Sequence, residues 1–253
     1  MRLHVVELVL FSAYAELRAE RSRSYLGFVW WLLDPALQMA IYYLVFSVVL
    51  KSAQADFVPF LLIGLTVWQW FKSCVSHGGH AIWQNLRVIR QVKLPAAVFP
   101  SVQILADTAK FLCILALLLI VLWSTGYRPN AAYAALPAVF IVELIFASAI
   151  AHFVAAIMPL LPDLRFVIEQ ILTMLMFVSG IVIPVHNVSS PLRELLMLNP
   201  MVEIVEATRG ILMRGEWPHW PELLGVTIVS IACYGLALVV IGRLTPRYVK
   251  LPS

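Results

Sequence analysis

Six stretches of this chain are long and apolar enough to cross a bilayer: roughly 28–50, 57–76, 99–123, 134–160, 166–184 and 222–244. A crossing helix needs about 20 predominantly apolar residues. In hydrocarbon each backbone N–H and C=O must be satisfied within protein, so segments of this length are expected to be helices. The expectation is an all-α membrane protein, one transmembrane domain over 1–253 with little chain left outside the bilayer. Composition agrees, since 62% of residues are hydrophobic and 13% are charged, about half the ~25% charge of a soluble domain. A soluble globular protein is thereby excluded.

The segment 3–22 precedes the first span and mixes apolar residues with charge. At about 100° per residue His4, Glu7, Arg18 and Arg21 gather on one part of a helix, while Glu16 and Glu20 fall elsewhere. Glu16, Arg18, Glu20, Arg21 and Arg23 crowd too closely for a crossing, so an interfacial helix on the membrane surface is expected. Leu8 to Ser12 followed by Ala13-Tyr14-Ala15 has the outline of a signal peptide, but Glu7 interrupts it and the segment reads as mature protein.

Six crossings place both termini on one side. That side collects 12 Lys and Arg against 5 on the other, with Lys110 inside a span, so the positive-inside rule puts both termini in the cytoplasm. The net charge of +4 then reports orientation, and no dense basic cluster points to nucleic acid. Cys74, Cys113 and Cys233 are far apart in apolar surroundings and read as small buried side chains rather than a disulfide or metal framework.

Two connections exceed a simple turn. In the cytoplasmic one, 85–95 reads as a short basic helix that presents Arg87, Arg90 and Lys93 and stops at Pro95, suited to lipid or to a docking protein. The external one, 185–221, is apolar enough to dip into the membrane as short re-entrant helices broken at Asn199-Pro200, with Trp217 and Trp220 at headgroup level.

A P-loop needs Gly-Lys so that backbone amides and an ammonium can hold phosphates. Gly-Lys occurs nowhere in the chain, so it has no nucleotide site of that kind. An ATP-driven transporter built on it would bind ATP and Mg on another polypeptide, leaving no cofactor and no catalytic residue in this one. Asp107 and Lys110, three apart in one span, can pair, and Glu143 lies at a depth from which it could join them. Such intramembrane charges read either as a structural clamp or as an ion relay. His77 and His80 lack a recognisable ligand spacing, and no metal site is expected. Trp31, Asp34, Gln38 and Tyr42 form a polar-aromatic stripe on the first span, and Phe166, Gln170, Thr173, Phe177 and Gly180 form another on the fifth. Each stripe is suited to helix packing, and the pair is suited to lining a path for a sugar chain, with rings against pyranose faces and amides and hydroxyls bonding its hydroxyls.

Taken in order, several motifs resemble the ABC-2-type permeases of polysaccharide and polyol-phosphate export. They are Ser24-Tyr25-Leu26-Gly27-Phe28-Val29-Trp30-Trp31-Leu32-Leu33-Asp34-Pro35, then Arg90-Gln91-Val92-Lys93-Leu94-Pro95 with Pro100, then Pro162-Asp163-Leu164, Ile183-Pro184, and Leu198-Asn199-Pro200 with Arg209. The resemblance implies a homodimer in the bacterial inner membrane, paired with two ATP-hydrolysing subunits and moving lipid-linked glycan outward between the two permeases. By position it implies that 85–95 is the coupling helix, with Arg87, Arg90 and Lys93 facing the ATPase, that Asp163 is a second cytoplasmic contact, and that 185–221 forms external gate helices. Many relatives have Asn where Asp34 stands. Pro184-Val185-His186 and 199–206 look more like capsule exporters than O-antigen or teichoic-acid exporters, which would add an acidic glycan and periplasmic and outer-membrane partners. The competing class is an ion-coupled secondary transporter, which would favour inverted repeats around an ion site, and no convincing repeat is present.

Overall fold

The computed structural model describes residues 2–22, 56–92, 94–182, 184 and 189–248, with isolated positions between 29 and 44. Apart from those isolated positions, the expected first span 28–50 lies outside the described residues, and with it Trp31, Asp34, Gln38 and Tyr42; Lys93 lies outside them too. The described residues contain no strand. In chain order the helices are α1 (Arg2–Ser22), α2 (Phe57–Gln84), α3 (Leu86–Gln91), α4 (Val98–Ser124), α5 (Leu136–Ile157), α6 (Leu164–Val178), α7 (Ser190–Met197), α8 (Pro200–Arg209) and α9 (Trp220–Tyr248). A 3-10 turn, Ala131–Ala135, leads into α5, and a π turn, Gly210–Arg214, continues α8.

Among the described residues four helical stretches are long and apolar enough to cross a membrane: α2, α4, Ala131–Ile157 and α9. They answer to the apolar stretches 57–76, 99–123, 134–160 and 222–244. The stretch 166–184 behaves differently. Its helix α6 has 15 residues, or about 22 Å, short of the ~30 Å hydrocarbon core. Gly180, at φ +68°, turns the chain out of the helix. The carbonyls of Gly180 and Ile181 then accept from the Arg209 guanidinium at 2.8 and 2.9 Å. A distant arginine thus satisfies carbonyls that a longer helix would have satisfied itself.

The centre of the bundle is α2, packed on α4 and α5, with α9 outside α5 and α1 outside α4. Trp70 of α2 stacks on Phe111 of α4 at 4.0 Å, and Phe140 of α5 meets both rings edge-on. Closer to α3, α2 and α5 approach through small residues. A Cβ at Gly79 would sit 2.5 Å from Cγ1 of Val154, and Ala147, Ala151 and Ala155 are buried, as expected where membrane helices pack backbone to backbone. The far end of α9 is hooked to α5 by the Tyr248 hydroxyl, which donates to the Ala156 carbonyl at 2.6 Å.

α1 leans on the first half of α4. Leu8, Val9 and Ala13 pack with Val98, Val102 and Leu105, and Glu20 reaches Lys110 at 2.6 Å. Its opposite side exposes Val6, Leu10, Phe11 and Tyr14. Between 189 and 214 the chain forms two short helices with Pro in their first turns, where the missing N–H costs no hydrogen bond. Asn199 caps α8, its side-chain oxygen accepting from Met201 N at 3.0 Å.

Candidate functional site

Polar side chains that a membrane helix would ordinarily exclude cluster at four places. The first joins α1, α2 and α4. Asp107 is buried and takes His77 Nδ1 at 2.8 Å on one oxygen and Lys110 Nζ at 3.3 Å on the other. Lys110 also pairs with Glu20. The expected Asp107–Lys110 pair is present, but it ties its own helix to α1 and α2 rather than to α5. Glu143, on α5, is fully buried, and neither carboxylate oxygen has a hydrogen-bond partner among the described residues. It joins no ion pair among the described residues. No group of three or more His, Cys, Asp or Glu among them is arranged to hold a metal.

The second place is the start of α6. Glu169 accepts from the Ser76 hydroxyl and lies 3.8 Å from Lys72 Nζ, both on α2. Gln170, Thr173 and Phe177 project from the exposed side of α6, whose buried side chains are Ile168 and Leu172. The half of the proposed path that is described is therefore an open face. Asp163, at the N-terminus of α6, is exposed, and Arg165 lies over the Phe166 ring at 4.4 Å.

The third place is α3, six residues long where 85–95 was expected. Ile89 anchors it in the cluster with Ile82 and Tyr248, while Arg87 and Val88 are exposed and Arg90 is half-buried. One cation and one apolar side chain thus project from a short helix seated by Ile89.

The fourth is Arg209, whose resemblance to a family mark gave no hint of its environment. The side chain is fully buried. Its guanidinium donates to the carbonyls of Phe60, Gly180 and Ile181 and to Glu206 Oε1, at 3.1, 2.8, 2.9 and 2.8 Å. It lies 3.4 Å over the Phe60 ring. Burial pulls the guanidinium down to about 10, with Glu206 opposing, so it stays charged at neutral pH. A fully desolvated cation is tolerable only because each face of it is matched. The sequence signal was Glu206 three residues before an arginine inside an apolar helix.

Beside Arg209, α8, the π turn and the segment 215–219 line a half-open cavity of about 470 Å³. Gly215, at φ +70°, closes the π turn and returns the chain so that Glu216 N donates to the Gly210 carbonyl at 3.0 Å. Arg214 Nε then meets Glu216 at 2.7 Å. Glu203, also lining the cavity, has its carboxyl pushed up by burial and by Glu222 and Glu206, against the pull of His219.

The chain matches the family model described as ABC-2 type transporter over residues 9–213. It is 29% identical over 226 residues to the O-antigen export system permease protein RfbA of Myxococcus xanthus, covering 88% of this chain and 87% of that one. A protein of the same name from Klebsiella pneumoniae is 22% identical over 94% of this chain and 90% of its own length. The polysialic acid transport protein KpsM of Escherichia coli is 24% identical over 90% of this chain and 87% of its own length.

Proposed function

Because this chain belongs to the ABC-2 type transporter family, as a permease of polysaccharide export, we propose that it is the membrane subunit of an ATP-driven exporter of lipid-linked glycan. Two copies would form the path, and two separate ATPase subunits would bind ATP and Mg and supply the stroke. The observation that carries this reading is the family match across 9–213 in a chain without Gly-Lys, which supports a motor in trans. α3, seated by Ile89 with Arg87 outward, suits the contact with that motor, and Asp163 suits a second one. The exposed face of α6 with Gln170, Thr173 and Phe177 suits the path. On this reading six spans, with both termini in the cytoplasm of the bacterial inner membrane, place α3 inside and α8 outside. Relatives of the O-antigen and polysialic acid kinds cover the chain to a similar extent. The proposed substrate is a lipid-linked polysaccharide of the O-antigen or capsular kind.

Native mass spectrometry of the chain co-expressed with the ATPase from its own operon tests the assembly. Two copies of each subunit are expected. A permease that copurifies with no ATPase, in a strain whose surface glycan survives deletion of the gene, overturns the proposal in favour of an ion-coupled transporter.

A further inference from the structure

The cavity beside α8 has a chemistry that the export reading does not use. Its polar lining is Glu203, Glu206, Arg214, Glu216 and His219, and Trp217 adds a half-exposed ring. At about 470 Å³ it lies within the ~300–1,000 Å³ of small-molecule sites. The walls are fixed. Glu206 is tied to buried Arg209, and Glu216 is tied to Arg214. Asn130 donates to the Ile211 carbonyl at 3.2 Å, holding the π turn from behind. Gly210 completes the wall, since a Cβ there would lie 3.3 Å from Arg214 Nη2 and crowd that pair. π turns of this kind recur at functional sites.

The charges decide what fits. Glu206 and Glu216 each have an arginine, while Glu203 has no cation paired to it among the described residues and faces Glu222. The cavity is thus net acidic with one uncommitted carboxylate, and its indole supplies a flat apolar face. A ligand with hydroxyl or ammonium donors and an apolar ring face completes it. A ligand bearing its own carboxylate meets like charge in a partly desolvated site.

We propose that this cavity is a sugar subsite on the outward side of the permease, taking a neutral or amino-bearing sugar residue and disfavouring an acidic one. The proposal rests on the export reading for its orientation and deepens it, because it separates neutral and amino glycans from acidic ones as cargo. Trp217 stacks on the ring, and the Glu203 carboxylate accepts from its hydroxyl or ammonium group.

The test uses the permease–ATPase complex in nanodiscs, titrated with three probes: N-acetylglucosamine tetramer, glucosamine tetramer and sialic acid tetramer. The first two are expected to bind at least about tenfold more tightly than the third. Trp217→Ala should weaken both by about tenfold while Trp217→Phe retains them, which separates a lost ring from a lost fold. Glu203→Gln should narrow the gap between neutral and acidic probes to less than about threefold. Equal or tighter binding of the sialic acid tetramer, or affinities that neither Trp217→Ala nor Glu203→Gln changes, overturns the subsite. So does the absence of binding by all three probes. Surface glycan in the deletion strain is scored in parallel. Its loss, with rescue by the wild-type gene, leaves the export reading standing if the subsite fails, whereas its survival removes the export reading and the subsite together.

Discussion

Gly64 lies in the first third of α2, and a Cβ there would lie 2.4 Å from Arg209 Nη2 and 3.3 Å from Cζ. In an unconstrained helix Gly→Ala stabilises by about 1 kcal/mol. Here the methyl must displace a guanidinium held by the carbonyls of Phe60, Gly180 and Ile181 and by Glu206. The nearest bond at risk is Nη2 to Ile181, and a buried carbonyl left without its donor costs about 1–3 kcal/mol. Gly64→Ala should therefore destabilise by up to about 2 kcal/mol once the helix gain is subtracted. Arg209→Met alone should cost about 3–5 kcal/mol, since it strips three carbonyls and leaves Glu206 with only the 4.0 Å approach of Arg214. In that background the 2.4 Å contact is gone and the contact with Ile181 Cγ2 at 3.3 Å remains, so Gly64→Ala should become neutral or stabilising. The coupling between the two sites is then about 1–3 kcal/mol. It is read from reversible unfolding of the four proteins in mixed micelles against increasing SDS. An equal cost of Gly64→Ala in both backgrounds would refute the placement of the guanidinium against α2.

Reversing Arg87, Arg90 and Lys93 together to glutamate should abolish export and ATPase association while the permease still inserts and folds, checked by copurification and by surface glycan. Phe177→Ala and Tyr42→Ala should slow export without uncoupling ATP hydrolysis, because the exposed Phe177 supports none of the buried core; unchanged glycan flux in both variants sinks the path assignment. Glu203 has its carboxyl raised above the ordinary 4.5, so its contribution to stability is present below that value and is lost as pH rises through the raised one. Glu203→Gln should flatten the decline in melting temperature with rising pH and stabilise the protein at neutral pH. Glu169→Ala should speed hydrogen exchange at the start of α6 and leave the Gly180 end protected; a uniform increase along α6 would contradict the separate anchoring of its two ends.

The spans legible in the sequence are those whose apolar run and helix coincide. Val98–Ser124 and Trp220–Tyr248 differ from the expected 99–123 and 222–244 by a few residues, because nothing but length and hydropathy was needed to set them. The stretch 166–184 was expected as a span, and its helix α6 stops at Val178 for a nonlocal reason. Gly180 alone is a permissible helix residue, and only the arrival of Arg209 from 29 positions along the chain makes a turn at that point better satisfied than another helical turn. Asp107 and Lys110 were recognisable as a pair from their spacing of three. Their partners Glu20 and His77 come from other helices, so no local pattern reveals them. The cavity lay hidden for the same reason. Glu203 and Arg214, 11 apart, fall on one face of a helix, but the turn at Gly215 that folds Glu216 and Trp217 back beside them is not read from that spacing.

These contacts divide the attachment of α6 into two unequal parts. Its apolar contribution is small, Ile168 and Leu172 alone being buried, so polar anchors carry much of its position. At the start, Glu169 holds α2 through the Ser76 hydroxyl and a 3.8 Å approach to Lys72, with both charged side chains about a third exposed; such a pair is worth about 0–1 kcal/mol. At the end, the Gly180 and Ile181 carbonyls are held by a fully buried arginine, and hydrogen bonds to a charged group contribute about 1.5–3 kcal/mol each. A force that separates α6 from α2 therefore releases the α3 end first, while the end beside α8 stays pinned. If α3 receives the motor and α6 lines the path, as proposed above, the weaker anchor lies where the stroke would arrive. The stronger one holds α6 to the same arginine that fixes Glu206 in the cavity wall, so a tilt of α6 about its pinned end leaves the α8 side in register.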